Sequence, residues 1–224
     1  MLCDEAEGMA DLVTIVLASS NEGKLTELRS LLADLPFSLV TAADVLGDKL
    51  AVAEDGDTFD ANAVIKASAI CKATGLVALA DDSGLEVDAL GGRPGVRSAR
   101  FAHERATDAE NNAALLRELE EIDDDGRRAH FRCVLALVTP WSFSQPRTVE
   151  GRVEGRIARD PRGSGGFGYD PLFIVDGRDG LAMAELSEDD KNSLSHRARA
   201  VRAMRPLLLE LLETQLSEAE RVAG

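Results

Sequence analysis

The chain has 224 residues, 45% of them hydrophobic, so it can bury a full core as one α/β domain or two small ones, and we expect one. It carries 40 Asp and Glu against 25 Lys and Arg, a formal charge of −15 at pH 7. So acidic a surface repels phosphate backbones and anionic lipid, which excludes nucleic acid and membranes as expected partners. A small anionic substrate can still bind where a few cationic side chains meet a divalent metal.

The N-terminal segment and the cysteines indicate the cellular compartment that we expect for the protein. Residues 1–11 are acidic and unpatterned, and we expect a disordered leader before a single domain at 12–224. The start lacks a basic n-region, and no apolar run reaches the ~18 residues of a membrane span. Cys3, Cys71 and Cys133 show neither disulfide nor zinc-ligand spacing. We therefore expect a cytoplasmic protein with reduced cysteines.

The first half of the chain predicts two helices, each next to a strand. Residues 12–18 are a continuous apolar run of the buried-strand type, and leucines then recur at helical spacing from Leu25. Thr58 caps a second predicted helix that ends near Ala73. This helix leads into a strand that we expect to end at Asp81, with a loop after it.

The second half predicts one more helix, three strands and a last helix. The helix begins at Thr107 or Asp108 and ends at Gly126. The strands are residues 130–139, 148–157 and 172–175, and the last helix runs from 195 to about 216. Pro206 should kink or break that helix. The alternation of helices and strands predicts an α/β fold with a mixed sheet.

Asp81 and Asp82 close the apolar run at residues 76–79. Two adjacent carboxylates at the end of a buried strand are costly unless they hold a cation or a proton. With Ser83 and a glycine they also fit a plain turn, and Glu54 taken alone fits an ordinary loop acid. Either aspartate together with Glu54 would supply the oxygen ligands that Mg²⁺ uses alongside substrate phosphates.

Two lysines lie where helices would attract an anion. Free backbone N–H groups and the helix dipole favour anions between the first strand and the first helix. The residues at that point are Ser19, Ser20, Asn21, Gly23 and Lys24. The plain alternatives are a helix cap and a solvated lysine. Lys66 lies among small residues that would let a phosphate approach the second helix, or it is an ordinary snorkelling lysine.

Phe167, Gly168, Tyr169 and Asp170 lie in a glycine-rich loop ahead of a strand. Aromatic side chains there can form a face on which a flat base stacks, while glycine lets the backbone come close. Loop aromatics more often anchor the loop, so this reading also stays open.

Lys191, Ser195, His196 and Arg197 crowd the start of the last helix. Ser195 as the cap would place His196 and Arg197 in the first turn, where the helix dipole disfavours cations. That placement suggests a local use, and a solvated mixed-charge turn is the alternative.

In this order, the segments resemble the inosine triphosphate pyrophosphatase family, which hydrolyses non-canonical purine nucleoside triphosphates to monophosphate and pyrophosphate. The resemblance covers about residues 13–209. It rests on residues 18–24, 54–59, 62–63, 66–67, 80–85, 165–171 and 195–197, with 92–95 and 98–100 also fitting. It implies an elongated, two-lobed α/β structure with a long mixed sheet, a central nucleotide cleft and usually a dimer.

The resemblance also implies roles for individual residues. Glu54 and Asp82 match the Mg²⁺ ligands, Asp82 also matches the general base, and Lys66 faces phosphate as the second catalytic residue. Matches to substrate-binding positions are Ser19, Ser20, Asn21, Gly23 and Lys24 near the triphosphate, Ser83, and Phe167, Gly168, Tyr169, Asp170, Lys191, His196 and Arg197 near the base.

The implied reaction uses Mg²⁺ to bridge the phosphates while Lys24 and Lys66 offset the charge of the leaving pyrophosphate. Asp82 orients or deprotonates the water that attacks the α-phosphorus. Arg197 or a backbone N–H would donate to a 6-oxo base and would face a donor in adenine. Two alternatives stay open: a Mg²⁺-dependent pyrophosphatase of other modified or canonical triphosphates, and a nucleotide-binding module without catalysis.

Overall fold

The computed structural model describes residues 13–47 and 52–223, and its strands form one six-stranded sheet in the order β2-β1-β3-β4-β5-β6. The strands are β1 Thr14–Ala18, β2 Ser38–Thr41, β3 Val77–Val87, β4 Arg128–Val138, β5 Arg147–Ile157 and β6 Phe173–Val175. β2, β1 and β3 are parallel, and β3 to β6 are antiparallel. The predicted mixed α/β fold is therefore confirmed, while its two lobes stay a prediction.

The described helices begin at the polar residues that the sequence marks. They are α1 Glu22–Leu32, α2 Ala42–Leu46, α3 Phe59–Thr74, α4 Asp108–Glu118, α5 Glu188–Leu194 and α6 His196–Ala223. Three 3₁₀ helices span Asp88–Leu90, Gly95–Arg100 and Met183–Glu185. Thr58 caps α3 by accepting from Ala61 N, and Thr107 forms a capping box with Glu110. Both predicted starts are confirmed.

Helices cover both faces of the sheet. Leu17, Leu79 and Leu135 alternate onto the face that α1 and α6 cover. Val16 and Ala80, one position away, pack on the opposite face beneath α3. Any chemistry on this sheet must therefore lie where the helices leave a gap.

The strand that carries the aspartate pair is longer than predicted. β3 continues to Val87 and pairs in register with β4 from Ala78↔Val138 to Val87↔Ala129. The predicted end at Asp81 and the plain turn are wrong, because the neighbouring strand satisfies the backbone across the pair. A strand alternates its side chains, so Asp81 and Asp82 point to opposite faces of the sheet.

Three short elements were not predicted from the sequence, and the predicted break in the last helix is absent. β2, α2 and α5 are four, five and seven residues long, too short for a clear periodicity. Of the predicted kink or break at Pro206, the break is wrong, since α6 runs through Pro206 to Ala223, while the kink stays a prediction. Met204, Leu208 and Leu211 pack into the core on both sides of the proline and hold the helix together.

Several sequence predictions concern single residues or the chain ends. Cys71 and Cys133 are free and buried, as predicted, whereas Cys3 and the expected leader at 1–11 lie outside the described residues. No helix within 13–47 and 52–223 is both long and apolar enough to cross a bilayer.

Gly151 allows α6 to lie directly against β5. A Cβ at Gly151 would lie 2.2 Å from the His196 carbonyl oxygen and 2.3 Å from Ala200 N. Both neighbours are helix backbone, which cannot rotate away. The first turn of α6, with His196 and Arg197, therefore depends on a glycine in the strand below it.

We expect Gly151→Ala to lower the free energy of unfolding by about 1–3 kcal/mol, because the added methyl group overpacks against backbone. Thr148→Ala, at an exposed position of the same strand, is the control and should change stability by only about 0.5 kcal/mol. Urea denaturation of both variants measures the difference. Equal stability of Gly151→Ala and wild type would contradict the close approach of α6.

Candidate active site

The predicted site residues converge on one cavity of about 650 Å³, a volume that suits a small organic ligand. Fifteen of them line it: Ser19, Ser20, Asn21, Lys24, Glu54, Lys66, Asp82, Ser83, Phe167, Gly168, Tyr169, Asp170, Lys191, His196 and Arg197. Gly23 does not line the cavity, but a Cβ there would lie 2.6 Å from the Phe167 ring. Segments far apart in sequence therefore form a single site.

The carboxylate of Asp81 lies behind the cavity wall, fully buried. Its Oδ1 forms an ion pair with Lys24 Nζ at 2.9 Å and accepts a hydrogen bond from Ser83 Oγ at 2.7 Å. Its Oδ2 accepts from Arg197 Nε at 2.8 Å and the Cys133 thiol at 3.1 Å. Burial alone would raise the pKa of Asp81, but the charges of Arg197 and Lys24 hold it well below its usual range. Asp81 is therefore ionised, and its oxygens are occupied by protein donors.

Asp82 faces the cavity from the other side of β3. Its Oδ1 accepts from Lys66 Nζ at 2.7 Å, and the same Nζ lies 3.2 Å from Glu54 Oε2. Asp82 Oδ2 is buried and has no hydrogen-bond partner among the described residues. Burial raises the pKa of Asp82 in spite of the nearby lysine cations. A carboxylate oxygen of this kind can accept a proton from water or bind a cation.

The carboxylates of this wall fit the predicted Mg²⁺ site. Within residues 13–47 and 52–223, no three carboxylate, imidazole or thiol side chains converge as a metal cluster. Mg²⁺ does not need such a cluster, because it commonly takes one or two carboxylates together with substrate phosphates and water. The unpartnered Oδ2 of Asp82 and the solvent-accessible Glu54 side chain are suitable ligands.

Elsewhere on the cavity wall, Phe167 presents an aromatic ring beside two cations. Lys191 Nζ lies 5.0 Å and Arg197 Cζ 5.8 Å from the ring centroid. Asp170 fixes the loop by accepting from Lys191 Nζ at 2.7 Å and Phe167 N at 3.1 Å. Phe167 thus lies on the cavity wall as a partly exposed ring.

The neighbouring tyrosine has a different environment. Tyr169 is buried, and its hydroxyl donates to the Ser98 carbonyl oxygen at 2.8 Å. That contact ties the glycine-rich loop to the 3₁₀ helix Gly95–Arg100. Tyr169 therefore anchors the glycine-rich loop, which is one of the two roles that the sequence left open for an aromatic residue there. The ring of Phe167 is the partly exposed one.

The sequence profile of the Ham1 family matches residues 15–207. The chain belongs to the Ham1 family. It is 50% identical to a dITP/XTP pyrophosphatase of Geobacter sulfurreducens, covering 85% of this chain and 94% of that protein. The corresponding values for the dITP/XTP pyrophosphatase of Bacillus licheniformis are 47%, 87% and 97%. The resemblance predicted from the motifs is confirmed.

Solved Ham1 structures have the same fold. The Ham1 protein from Coxiella burnetii superposes with a TM-score of 0.80 at 44% identity, covering 88% of this chain and 99% of the other. The Staphylococcus aureus Ham1 protein gives a TM-score of 0.77 at 38% identity, with 88% and 98% covered.

This Ham1 chain adds one site residue that the motifs did not indicate. Glu27 lines the cavity, forms an ion pair with Lys191 Nζ at 2.5 Å and accepts a hydrogen bond from the Arg197 guanidinium. It follows Lys24 by three positions on α1, so helix geometry places both on one face. That spacing is the signal that could have found it.

The start of α6 is built as predicted. Ser195 Oγ accepts from Ala198 N at 3.1 Å and caps the helix. His196 is buried and stacks on Phe131, with ring centroids 4.8 Å apart. Burial, reinforced by the charge of Arg197, holds the pKa of His196 well below its usual range. The imidazole is therefore neutral at pH 7 in this Ham1 chain.

We expect Asp81→Asn to lower the free energy of unfolding by about 3–5 kcal/mol, because it removes the buried carboxylate that Arg197 and Lys24 share. Asp60→Asn is the control, since Asp60 forms a solvent-accessible pair with Arg132 at 3.0 Å. Its loss should cost about 1 kcal/mol or less. Denaturant titrations of the two variants measure this, and equal effects would contradict the central role of Asp81.

Proposed function

We propose that this chain hydrolyses non-canonical purine nucleoside triphosphates, namely ITP, dITP and XTP, to the monophosphate and pyrophosphate. The observation that carries the proposal is Asp82 Oδ2, which has no partner among the described residues and lies in a cavity that lysines and the Phe167 ring also line. The relatives named dITP/XTP pyrophosphatase support the substrate class.

The cavity wall has two chemically different parts. Lys24 and Lys66 lie near Asp82, where they can offset the charge of a phosphate chain. Phe167 forms another part of the wall, where a purine can stack on its ring. A nucleoside triphosphate that spans the cavity would place its phosphates beside Asp82 and its base beside Phe167.

The side chains near Asp82 suit hydrolysis by positioning and electrostatics, which dominate phosphoryl transfer. The Asp82 carboxylate would orient a water molecule and accept its proton, while Lys66 Nζ binds its Oδ1. Glu54 and Asp82 would hold Mg²⁺, which supplies charge neutralisation for the phosphates when bound. Lys24 is held by Asp81 and would face the phosphate chain.

Arg197 contributes to base selection in this proposal. Three of its five N–H groups donate to Asp81, Glu27 and Ser83, which leaves two for a ligand. A 6-oxo oxygen of hypoxanthine or xanthine accepts from such a donor, whereas the 6-amino group of adenine does not. Leaving a buried donor unpaired in this way can cost roughly 10⁴-fold in kcat/KM.

The test is a panel of ITP, XTP, GTP, ATP and dUTP with Mg²⁺ and separate detection of pyrophosphate and orthophosphate. We expect pyrophosphate release, with kcat/KM for ITP and XTP about 10²–10⁴-fold above that for ATP. Preferred turnover of dUTP or ATP would favour a pyrophosphatase of other triphosphates. Tight ITP binding without hydrolysis would favour a module without catalysis.

We expect Asp82→Asn to lower kcat for ITP by about 10²–10⁴-fold, the usual contribution of a general base. The amide oxygen still accepts from Lys66, so the variant should fold. Asp55→Asn removes an exposed carboxylate next to Glu54 and is the matched control, with activity close to wild type. Near-normal turnover by folded Asp82→Asn would contradict the role of Asp82.

The predicted assembly and location also belong to this proposal. A second copy of the chain is the expected partner, and the cytoplasm is the expected compartment. The loop between β4 and β5 exposes Trp141 and Phe143, an apolar surface that supports self-association. Light scattering should give the mass of a dimer, and a monomer mass at micromolar concentration would contradict this.

A further inference from the structure

The sequence motifs assign no role to Arg100, although Arg100 lines the cavity together with Glu54 and Asp82. Arg100 is the last residue of the 3₁₀ helix Gly95–Arg100. One of its terminal nitrogens lies 3.4 Å from the Glu54 carbonyl oxygen, a long hydrogen bond. The guanidinium is therefore at the phosphate end of the cavity.

The other cationic side chains of the cavity wall are bound to carboxylates. Each has a carboxylate oxygen within 3.2 Å: Lys24 with Asp81, Lys66 with Asp82 and Glu54, Lys191 with Glu27 and Asp170, and Arg197 with Asp81 and Glu27. Their charges are largely neutralised before a ligand arrives.

Arg100 lacks such a partner in the part of the chain that the structure describes. Its nearest carboxylate is Glu104 at 3.8 Å, an exposed side chain that solvent screens well. Its Nε is buried and makes no hydrogen bond within the described residues. A buried guanidinium N–H without an acceptor is costly, and a ligand oxygen would remove that cost.

The charge of the cavity makes this cation important for an anionic ligand. Among the described residues, five carboxylates and five cationic side chains line the wall, and Asp81 lies directly behind it. The protein side chains therefore offer no net positive charge to a triphosphate. A cation that is not already paired closely with a protein acid therefore adds more to the attraction than a paired lysine does.

We propose that Arg100 binds the phosphate chain of the substrate, beside Glu54, as a phosphate-binding residue in addition to Lys24 and Lys66. The inference rests on the proposed function, since it assigns a group to the phosphate end of that site. The planar guanidinium can donate two parallel hydrogen bonds to phosphate oxygens, which a lysine cannot do.

The experiment compares Arg100→Gln with Arg97→Gln by calorimetric binding of inorganic pyrophosphate at saturating Mg²⁺. Arg97 is a matched control, because it lies in the same 3₁₀ helix, binds the same Glu104 at 2.7 Å and is not part of the cavity wall. Arg100→Gln should weaken pyrophosphate binding about 10- to 100-fold, the effect of losing charge-assisted hydrogen bonds. Arg97→Gln should stay within about twofold of wild type.

Inosine, which has no phosphate, is the second probe. Its inhibition of ITP hydrolysis should be unchanged in Arg100→Gln, while kcat/KM for ITP falls with the affinity for pyrophosphate. If Arg100→Gln fails to fold by circular dichroism, Arg100→Lys replaces it, since lysine keeps the charge and loses the two-pronged contact. Arg100→Lys should bind pyrophosphate more weakly than wild type, by about tenfold.

Wild-type affinity for pyrophosphate in Arg100→Gln would overturn the proposal. The proposal would also be overturned if Arg100→Gln changed only the Mg²⁺ concentration that activity requires, because that result would mean that Arg100 acts through Glu54. Calorimetric binding of pyrophosphate does not depend on ITP hydrolysis, so the Arg100 proposal and the proposed function can be rejected independently of each other. Absence of ITP hydrolysis in the wild type would overturn the proposed function and leave the Arg100 measurement intact.

Discussion

The buried carboxylate of Asp81 is the interaction on which the arrangement of the site depends. It joins β3 to α1 through Lys24, to α6 through Arg197 and to β4 through Cys133. Two cations and one anion can be buried together only when the geometry satisfies them, because burying an unpaired charge costs several kcal/mol. The positions of α1 and α6 relative to the sheet are therefore coupled to the protonation and position of one side chain.

Side chains alternate along a β-strand, so the two neighbouring aspartates lie on opposite faces of the sheet and have different partners. Asp81 points to the face with α1 and α6, where protein donors occupy both of its oxygens. Asp82 points to the face with α3, where Lys66 binds one oxygen and the other has no partner in the described part of the chain. One carboxylate organises the cations, and the other has the free oxygen that the proposed reaction needs. No turn could separate them so completely, which is why the continuation of β3 through the pair matters for function.

Local signals carried much of the prediction. The caps at Thr58, Thr107 and Ser195 mark helix starts because their side chains satisfy backbone N–H groups a few residues away. The motif strings likewise identify the residues that line the cavity, since each string places its polar groups at the end of an element or on an exposed helix turn.

Nonlocal contacts explain what the sequence did not reveal. The length of β3 is set by its pairing with β4, and α6 passes Pro206 because the core holds it on both sides. The environments of Glu27 and Arg100 are set by partners on other elements: Lys191 contacts Glu27, and the Glu54 carbonyl oxygen contacts Arg100. The spacing of Glu27 from Lys24 places it on the same helix face, but no local pattern gives its contact with Lys191 or the contact of Arg100 with the Glu54 loop.

In the proposed reaction this chain directs water to the α-phosphorus of a nucleoside triphosphate. Hydrolysis of ITP in oxygen-18 water, followed by mass spectrometry of both products, identifies the phosphorus that the water attacks. We expect one labelled oxygen in IMP and none in pyrophosphate. Label in pyrophosphate or orthophosphate would mean attack at a different phosphorus and would rule out the proposed reaction.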